Sequence, residues 1–363
     1  MTELIGLQKD QLDTPALLVD LDLFEANVRT LAKACADNGV AWRPHSKAHK
    51  SPEVARLQIE AGAHGIICAK LSEAEVMVEH GIDDILVANE IVTPSKLRRL
   101  AALQRRARVM CNVEAIEVVD LISAAATAEG ETIPVYIEMD NGMNRTGVEP
   151  GEPTLKLAQK IEAADQVSLA GMMGYEGQVL DLKPLTKKQA ACHQALALLV
   201  ETHDLLAANG IEVEIVSAGG TGCYPFTVAY PGITELQAGG GIFMDLFYRD
   251  ECLIDELHLA LTVLTTVVSR HSQHVVVDGG FKTMCQNPKP GPIDHDELEL
   301  RGLSAEHGIF NVKPGRAAPR LGEQIEFHVG YSDSTNVLHN QFICIRDNRV
   351  ETVWPLLGRG KLT

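Results

Sequence analysis

Between Val40 and Gln237 the chain repeats one pattern eight times: a short apolar run with strand character, then a longer run with helical period. The predicted strands are 40–43, 65–69, 84–88, 108–111, 134–139, 168–173, 212–217 and 234–237. The predicted helices between them include 52–61, 72–79, 94–105, 113–128, 154–164 and 185–208. Parallel strands need a crossover of helix length, and the helices then cover the sheet. Eight such units are the count of a (β/α)8 barrel, and a doubly wound sheet of as many units is the alternative.

The pattern changes after about Cys252. From there the chain offers β-like runs at 259–270, 274–277, 324–329, 341–346 and 350–354, without a helical period of any length. Asp347-Asn348 marks a hairpin between the last two runs. The expected organisation is a barrel over residues 13–258, and an all-β domain over 259–363 together with residues 1–12. An early run, 16–20, is also strand-like and is a candidate to pair with the C-terminal domain.

Composition narrows the class. A chain of 363 residues suits two domains, or one barrel with an addition. The formal charge of −17 disfavours nucleic acid and anionic membrane surfaces as partners. No apolar run approaches about 18 residues, so no membrane span is expected. Met1 to Leu12 lacks a signal-peptide core. Eight cysteines without a Cys-x-x-Cys pair suit a cytoplasmic protein with reduced thiols.

The residues with chemistry fall after the strands, where parallel α/β folds place their sites. Val40 to Lys50 reads as a strand stopped by Pro44, with Lys47 presented just beyond. A lysine there is a candidate Schiff-base nucleophile. The plain alternative is a solvated lysine in a basic loop with Arg43, His45, His49 and Lys50. Ser217-Ala218-Gly219-Gly220-Thr221-Gly222 follows the seventh strand, and small residues let backbone N–H groups close on an anion. A second glycine cluster, Gly239-Gly240-Gly241, follows the eighth. Arg145 follows the fifth strand and suits a ligand oxygen, or a surface ion pair with Asp140. Tyr175 and Gln178 follow the sixth. A lysine, a phosphate cradle and an arginine at one barrel mouth together suit pyridoxal 5′-phosphate (PLP).

Arg43-Pro44-His45-Ser46-Lys47-Ala48-His49-Lys50 resembles the signature R-P-H-x-K-T-H-K, with Ala48 for Thr. Asp140 to Gly147 resembles D-x-G-M-x-R-x-G, Ser217 to Thr221 resembles S-x-G-G-T, and Ser304 to Gly308 resembles S-x-E-H-G. These motifs, in this order, resemble the fold-type III PLP enzymes with the alanine-racemase-like fold. Within them the chain is similar to the family of D-threonine aldolase, eukaryotic-type D-serine dehydratase and 3-hydroxy-D-aspartate aldolase. The resemblance implies that Lys47 holds PLP as an aldimine and works as an acid/base at Cα. It implies a phosphate held by Ser217, Gly219, Gly220, Thr221, Gly239 and Gly240, with Arg145 near the phenolic oxygen and Tyr175 beside the cofactor. Gln237 stands at the position of the ring-nitrogen partner, and as a neutral amide it is expected to leave that nitrogen unprotonated or weakly polarised. His45 and Asp333 are expected on the substrate side. A homodimer is implied as well.

Two positions depart from the family. Its Y-E-G-H reads Tyr175-Glu176-Gly177-Gln178 here, which removes a histidine expected at the substrate hydroxyl. Its metal-binding H-x-C or H-x-D aligns with Tyr331-Ser332-Asp333, where only Asp333 offers a hard ligand. A divalent metal (Mg, Mn or Zn) is therefore expected to be weak or absent. Tyr331 and Asp333 would instead bond the substrate or move a proton. The function expected is a PLP-dependent lyase acting on a D-configured β-hydroxy amino acid, by retro-aldol cleavage or dehydration. The alternatives are a racemase or epimerase using Lys47 and Tyr331, and a PLP-binding regulatory protein without turnover.

Overall fold

The computed structural model describes residues 2–363. They form two compact units, one of Leu31–Gly239 with Gly358–Thr363, the other of the residues up to Thr30 with Gly240–Leu357.

The first unit contains eight parallel strands: β2 (Ala41–Trp42), β3 (Ile66–Cys68), β4 (Asp84–Glu90), β5 (Arg108–Val113), β6 (Ile133–Glu138), β7 (Val167–Met173), β8 (Val216–Ala218) and β9 (Glu235–Leu236), after β1 (Ala16–Asp20), which lies elsewhere. Their order is β2-β9-β8-β7-β6-β5-β4-β3. A parallel bridge between His45 and Ile67, with Ile67 N–H donating to the Pro44 carbonyl at 2.9 Å, joins the two ends of that order. The sheet is therefore closed, and the doubly wound alternative, which needs two free edges, is excluded. All eight predicted strands are present, within a few residues at their ends.

The strands alternate in what they bury. Ile67, Leu86, Met110, Tyr136 and Met173 form one buried cluster, while their chain neighbours Ile66, Ile85, Val109, Val135 and Met172 belong to a larger one. That larger cluster includes Ala55, Leu71, Leu97, Val119, Leu155 and Leu196 from the helices. Those helices are α2 (Pro52–Glu60), α3 (Leu71–Glu79), α4 (Pro94–Leu103), α5 (Ile116–Glu129), α6 (Glu152–Glu162) and α7 (Leu185–Ala208), after α1 (Leu21–Asn38) and before the short α8 (Tyr224–Thr227). Pro52 and Pro94 sit in the first turns of α2 and α4, where a missing N–H costs nothing, and Gly130 ends α5 in the left-handed conformation.

The second unit is built on β10 (Leu261–Arg270), β11 (His274–Val277), β12 (Gly291–Pro292), β13 (Leu298–Leu303), β14 (Gly308–Val312), β15 (Gln324–His328), β16 (Gln341–Arg346) and β17 (Arg349–Pro355), with helix α9 at Ser332–Asn336. β1 joins this sheet, antiparallel to β10 and parallel to β16, as its early strand-like run suggested. Leu12, Ala16, Leu18, Leu264, Ile343 and Val350 pack there. Asp347 and Asn348 take positive φ and turn β16 into β17. The units part after Thr30 and Gly239, whereas the sequence partition falls at residues 13 and 258. Two observations account for the difference: β1 pairs with β10, and Ala260 N–H bonds the Phe243 carbonyl, which keeps 240–260 with the antiparallel sheet. Among the described residues no helix is long and apolar enough to cross a membrane.

Candidate active site

Lys47 follows β2 in a single 3-10 turn, Ser46–Ala48, and its N–H donates to His45 Nδ1 at 3.3 Å. Burial, then the neighbouring Lys47, Lys50 and His49, push the His45 imidazole well below its ordinary pKa, so it is neutral. The turn is fastened from behind by Glu73 of α3. That carboxylate accepts Ser46 Oγ at 2.6 Å, Lys50 Nζ at 2.9 Å and Ala69 N–H at 3.2 Å. Arg43, His49 and Lys50 are all buried, which corrects the picture of a solvated basic loop. Lys50 is held in a buried ion pair, while Lys47 is only half-buried at the strand end.

The loop after β8 lies on the same rim, because the strands are parallel. Gly219 has φ +82, and a Cβ there would press on Leu236 and Thr227, so only glycine fits. Its N–H donates to Glu176 Oε2 at 3.3 Å, and Glu176 Oε1 accepts Thr227 Oγ1 at 2.7 Å and Cys223 Sγ at 3.2 Å. Burial raises the Glu176 pKa against these bonds. Among the described residues the Gly220 N–H makes no hydrogen bond, which leaves a donor for an anion. Thr221 is buried beside it. Gly239 has a different reason to be glycine, because a Cβ there would overlap the His45 carbonyl. Gly240, in the other unit, packs under Tyr248.

Arg145 does not pair with Asp140. Its Nη2 lies 3.6 Å from Glu138 Oε1 at the end of β6, and its guanidinium sits 5.4 Å from the centre of the Tyr175 ring. Asp140 Oδ1 instead accepts the N–H groups of Gly142 and Asn144 at 3.0 Å each, which shapes the loop. Gln178 Nε2 donates to the Asn141 carbonyl at 3.3 Å and so ties the loop after β7 to the loop after β6.

Gln237, after β9, is buried and donates Nε2 to Ser217 Oγ at 2.9 Å. Ser217 Oγ donates to Glu235 Oε1 at 2.6 Å, and Glu235 Oε2 takes Arg43 Nε and His64 Nε2 at 2.9 Å each. Arg43 also reaches Asp84 at 2.5 Å. Burial alone would lower the Arg43 pKa, but Glu235 and Asp84 more than offset it. Burial alone would raise Glu235, but His64, Arg43 and Ser217 hold it below the usual carboxylate range. The motif arginine therefore works inside the barrel, not in its loop. Glu73, Glu176 and Glu235, which back these residues, were not singled out from sequence. A lone glutamate on a strand or helix carries no spacing signal, although Tyr175-Glu176-Gly177 stood inside a motif.

Tyr331 and Asp333 belong to the antiparallel unit and form a group of their own. Tyr331 Oη donates to Asp333 Oδ2 at 3.0 Å, and its ring meets Phe247 and Tyr248 edge-on at 5.5 and 6.0 Å. Asp245 accepts Ser332 N–H at 2.7 Å and Tyr248 N–H at 2.9 Å. His339 bonds the Thr283 carbonyl at 2.7 Å. Among the described residues the one group of three His, Cys, Asp or Glu donors close enough for a metal is Glu176, Cys192 and Cys223, and Asp333 is not in it.

The family described as "Alanine racemase, N-terminal domain" matches residues 19–246, and one described as "Putative serine dehydratase domain" matches 260–345. D-threonine aldolase of Arthrobacter sp is 36% identical over 354 residues, 96% of this chain and 93% of that protein. The chain belongs to the D-threonine aldolase family of alanine-racemase-fold enzymes. 3-Hydroxy-D-aspartate aldolase of Paracoccus denitrificans (strain Pd 1222) is 34% identical over 367 residues, covering 98% of this chain and 94% of its own. The crystal structure of D-threonine aldolase from Filomicrobium marinum superposes with a TM-score of 0.95 at 36% identity, over 99% of both chains. The chain is thus a lyase, and its family implies PLP as the cofactor. The residues present fit that group: a strand-end amine, a glycine loop with an N–H to give, and a guanidinium held over an aromatic ring.

Proposed function

We propose that this enzyme breaks down a D-configured β-hydroxy amino acid, by retro-aldol cleavage or dehydration, with PLP held on Lys47. The observation that carries the reading is one barrel rim bearing Lys47, the Gly219–Thr221 loop and the Arg145–Tyr175 pair in a chain of this family. PLP, when bound, takes up the electron pair released at Cα.

The chain supplies the rest. Glu73 and Lys50 hold the turn that presents Lys47, whose amine would move the proton at Cα. Gly220 N–H and Thr221 would hold the phosphate, with Glu176 setting the loop. Arg145, steadied by Glu138 and Tyr175, would hold the phenolic oxygen. Neutral His45 would face the substrate and present no charge of its own.

Both reactions need help at the β-oxygen. Gln178 cannot take a proton in any useful pH range. We assign that work to Tyr331 and Asp333, on their sequence position and their mutual hydrogen bond, and expect any divalent metal to be weak or absent. We take the working form to be a homodimer, which sedimentation would test.

Borohydride reduction followed by peptide mapping tests the assignment: the reduced cofactor should appear on Lys47, and finding it on Lys50 or on no lysine refutes it. A panel of D- and L-amino acids, followed for glyoxylate, aldehydes, 2-oxo acids and enantiomers with and without metal, then separates cleavage, dehydration and racemisation.

A further inference from the structure

The direction of the Gln237 amide follows from proton counting. A carboxylate only accepts hydrogen bonds, and a serine hydroxyl has one proton to give. Glu235 is kept ionised by Arg43 and His64, each 2.9 Å from its Oε2. Its Oε1 therefore takes the Ser217 proton across 2.6 Å. Ser217 Oγ then has only lone pairs left for Gln237, so the amide must offer it the NH2 group, as it does at 2.9 Å. The same Nε2 approaches Met173 Sδ at 3.7 Å, a weak acceptor. Both amide protons thus point at the barrel wall. The Gln237 carbonyl oxygen makes no hydrogen bond among the described residues, although the side chain is buried.

We infer that Ser217, set by Glu235, is a positioning residue that turns the Gln237 carbonyl toward the bound molecule, so that the chain meets the cofactor ring nitrogen with an acceptor. This rests on the PLP reading above and reverses one expectation drawn from sequence. A neutral amide does not by itself leave the ring nitrogen unprotonated. An amide fixed with its oxygen forward stabilises the ring N–H, because the carbonyl can bond only the protonated form. It does so without the full charge of a carboxylate, so the electron sink is strengthened only modestly. The Ser217 hydroxyl is committed within the barrel wall and would not reach a phosphate. Arg43, Ser217 and Gln237 then act as one chain with Glu235 as its centre: an ion pair at one end sets an amide at the other.

Two measurements test this, and the first needs no cofactor. In chain carrying 15N-glutamine, the Gln237 side-chain amide should exchange slowly with solvent. Ser217→Ala should speed that exchange at least tenfold, and Ser217→Thr, which keeps the hydroxyl, should restore it. Equal exchange in all three overturns the orientation, whatever Lys47 carries. In the second, PLP labelled with 15N in its ring is bound, and the ring resonance is followed against pH. The nitrogen should be protonated at neutral pH in the native chain and in Ser217→Thr, with its titration shifted down by about one pH unit in Ser217→Ala. An unprotonated ring in the native chain, or no shift on removing the hydroxyl, overturns the inference. A slowly exchanging Gln237 in a chain that retains no PLP would keep the orientation and remove the cofactor reading, so the two failures are distinct.

Discussion

The barrel mouth and the Tyr331 group hold their polar side chains by different means. In the barrel a buried glutamate stands behind several candidates: Glu73 behind Lys47, Glu235 behind Ser217 and Gln237, Glu176 behind Gly219. Around Tyr331 the supports are aromatic edges and the backbone bonds of Asp245. A buried ion pair is directional, and breaking one side of it is costly. Aromatic contacts fill space and accept several geometries. The chain matches its family motifs where buried glutamates fix the geometry. It departs from them at Tyr331, where aromatic packing joins the hydrogen bonds of Asp333 and Asp245. The other departure, Gln178, is in the barrel but rests on one 3.3 Å bond.

The comparison is sharpest between Lys47 and Lys50, two lysines of one turn. Lys47→Ala should lower activity by roughly 10³-fold or more, the scale of losing a group that takes part in the chemistry, and should abolish the borohydride-fixed cofactor without changing the melting temperature much. Lys50→Ala should act chiefly on stability and leave the borohydride-fixed cofactor on Lys47. It leaves Glu73 buried without its cation, which costs about 3–5 kcal/mol, read as a large loss in urea unfolding. If Lys50→Ala abolished cofactor fixation in a folded chain, the division of labour in this turn would be wrong.

The Tyr331 group is tested by activity. Tyr331→Phe removes one oxygen and keeps the ring contacts. It should lower turnover by roughly 10²-fold, as expected for one acid/base group, while chelator leaves the native enzyme nearly unchanged. A chelator effect as large as the mutation would return the β-oxygen to a metal.

Much of the fold was readable in the sequence, because a strand and helix alternation repeated eight times admits few architectures. That Lys47, Arg145 and Gly219 follow strands on one barrel rim was readable from motif order. Arg43 was not: a cation in a basic stretch looks solvated until β2 and β9 are adjacent and bring it to Glu235. Asp140, the alternative partner for Arg145, is nearer in sequence, but Arg145 meets Glu138 at the strand end. Strands β13 and β14 were missed: in β13 Leu298 and Leu300 alternate with Glu299 and Arg301, but the alternation stops at Gly302 and is too short to stand out.

Acid should weaken the barrel through Glu235. Its folded-state pKa lies below the usual range, while the unfolded chain keeps about 4.3. The stabilisation is therefore complete above about pH 4.3 and lost as pH falls through the lower folded value. Glu235→Gln should flatten the unfolding profile below about pH 4.3. An unchanged slope would show that the charge on Glu235 does not carry the Arg43 and Ser217 bonds.

The smallest effect is expected at Gln178, and it tests whether the barrel half does any work on the β-hydroxyl. Its Nε2 bond to the Asn141 carbonyl is long, and one neutral hydrogen bond contributes about 0.5–1.5 kcal/mol. Gln178→Ala should lower stability by no more than that and activity less than tenfold, because the lost side chain can move no proton. Gln178→His places an imidazole where the Y-E-G-H resemblance expects one. With an ordinary pKa of about 6.5, it should add a step to the pH profile of turnover near that value, rising toward neutral as the base form appears. If Gln178→Ala instead cost as much as Tyr331→Phe, the amide would be holding the substrate itself, and the barrel mouth would carry the chemistry assigned here to Tyr331.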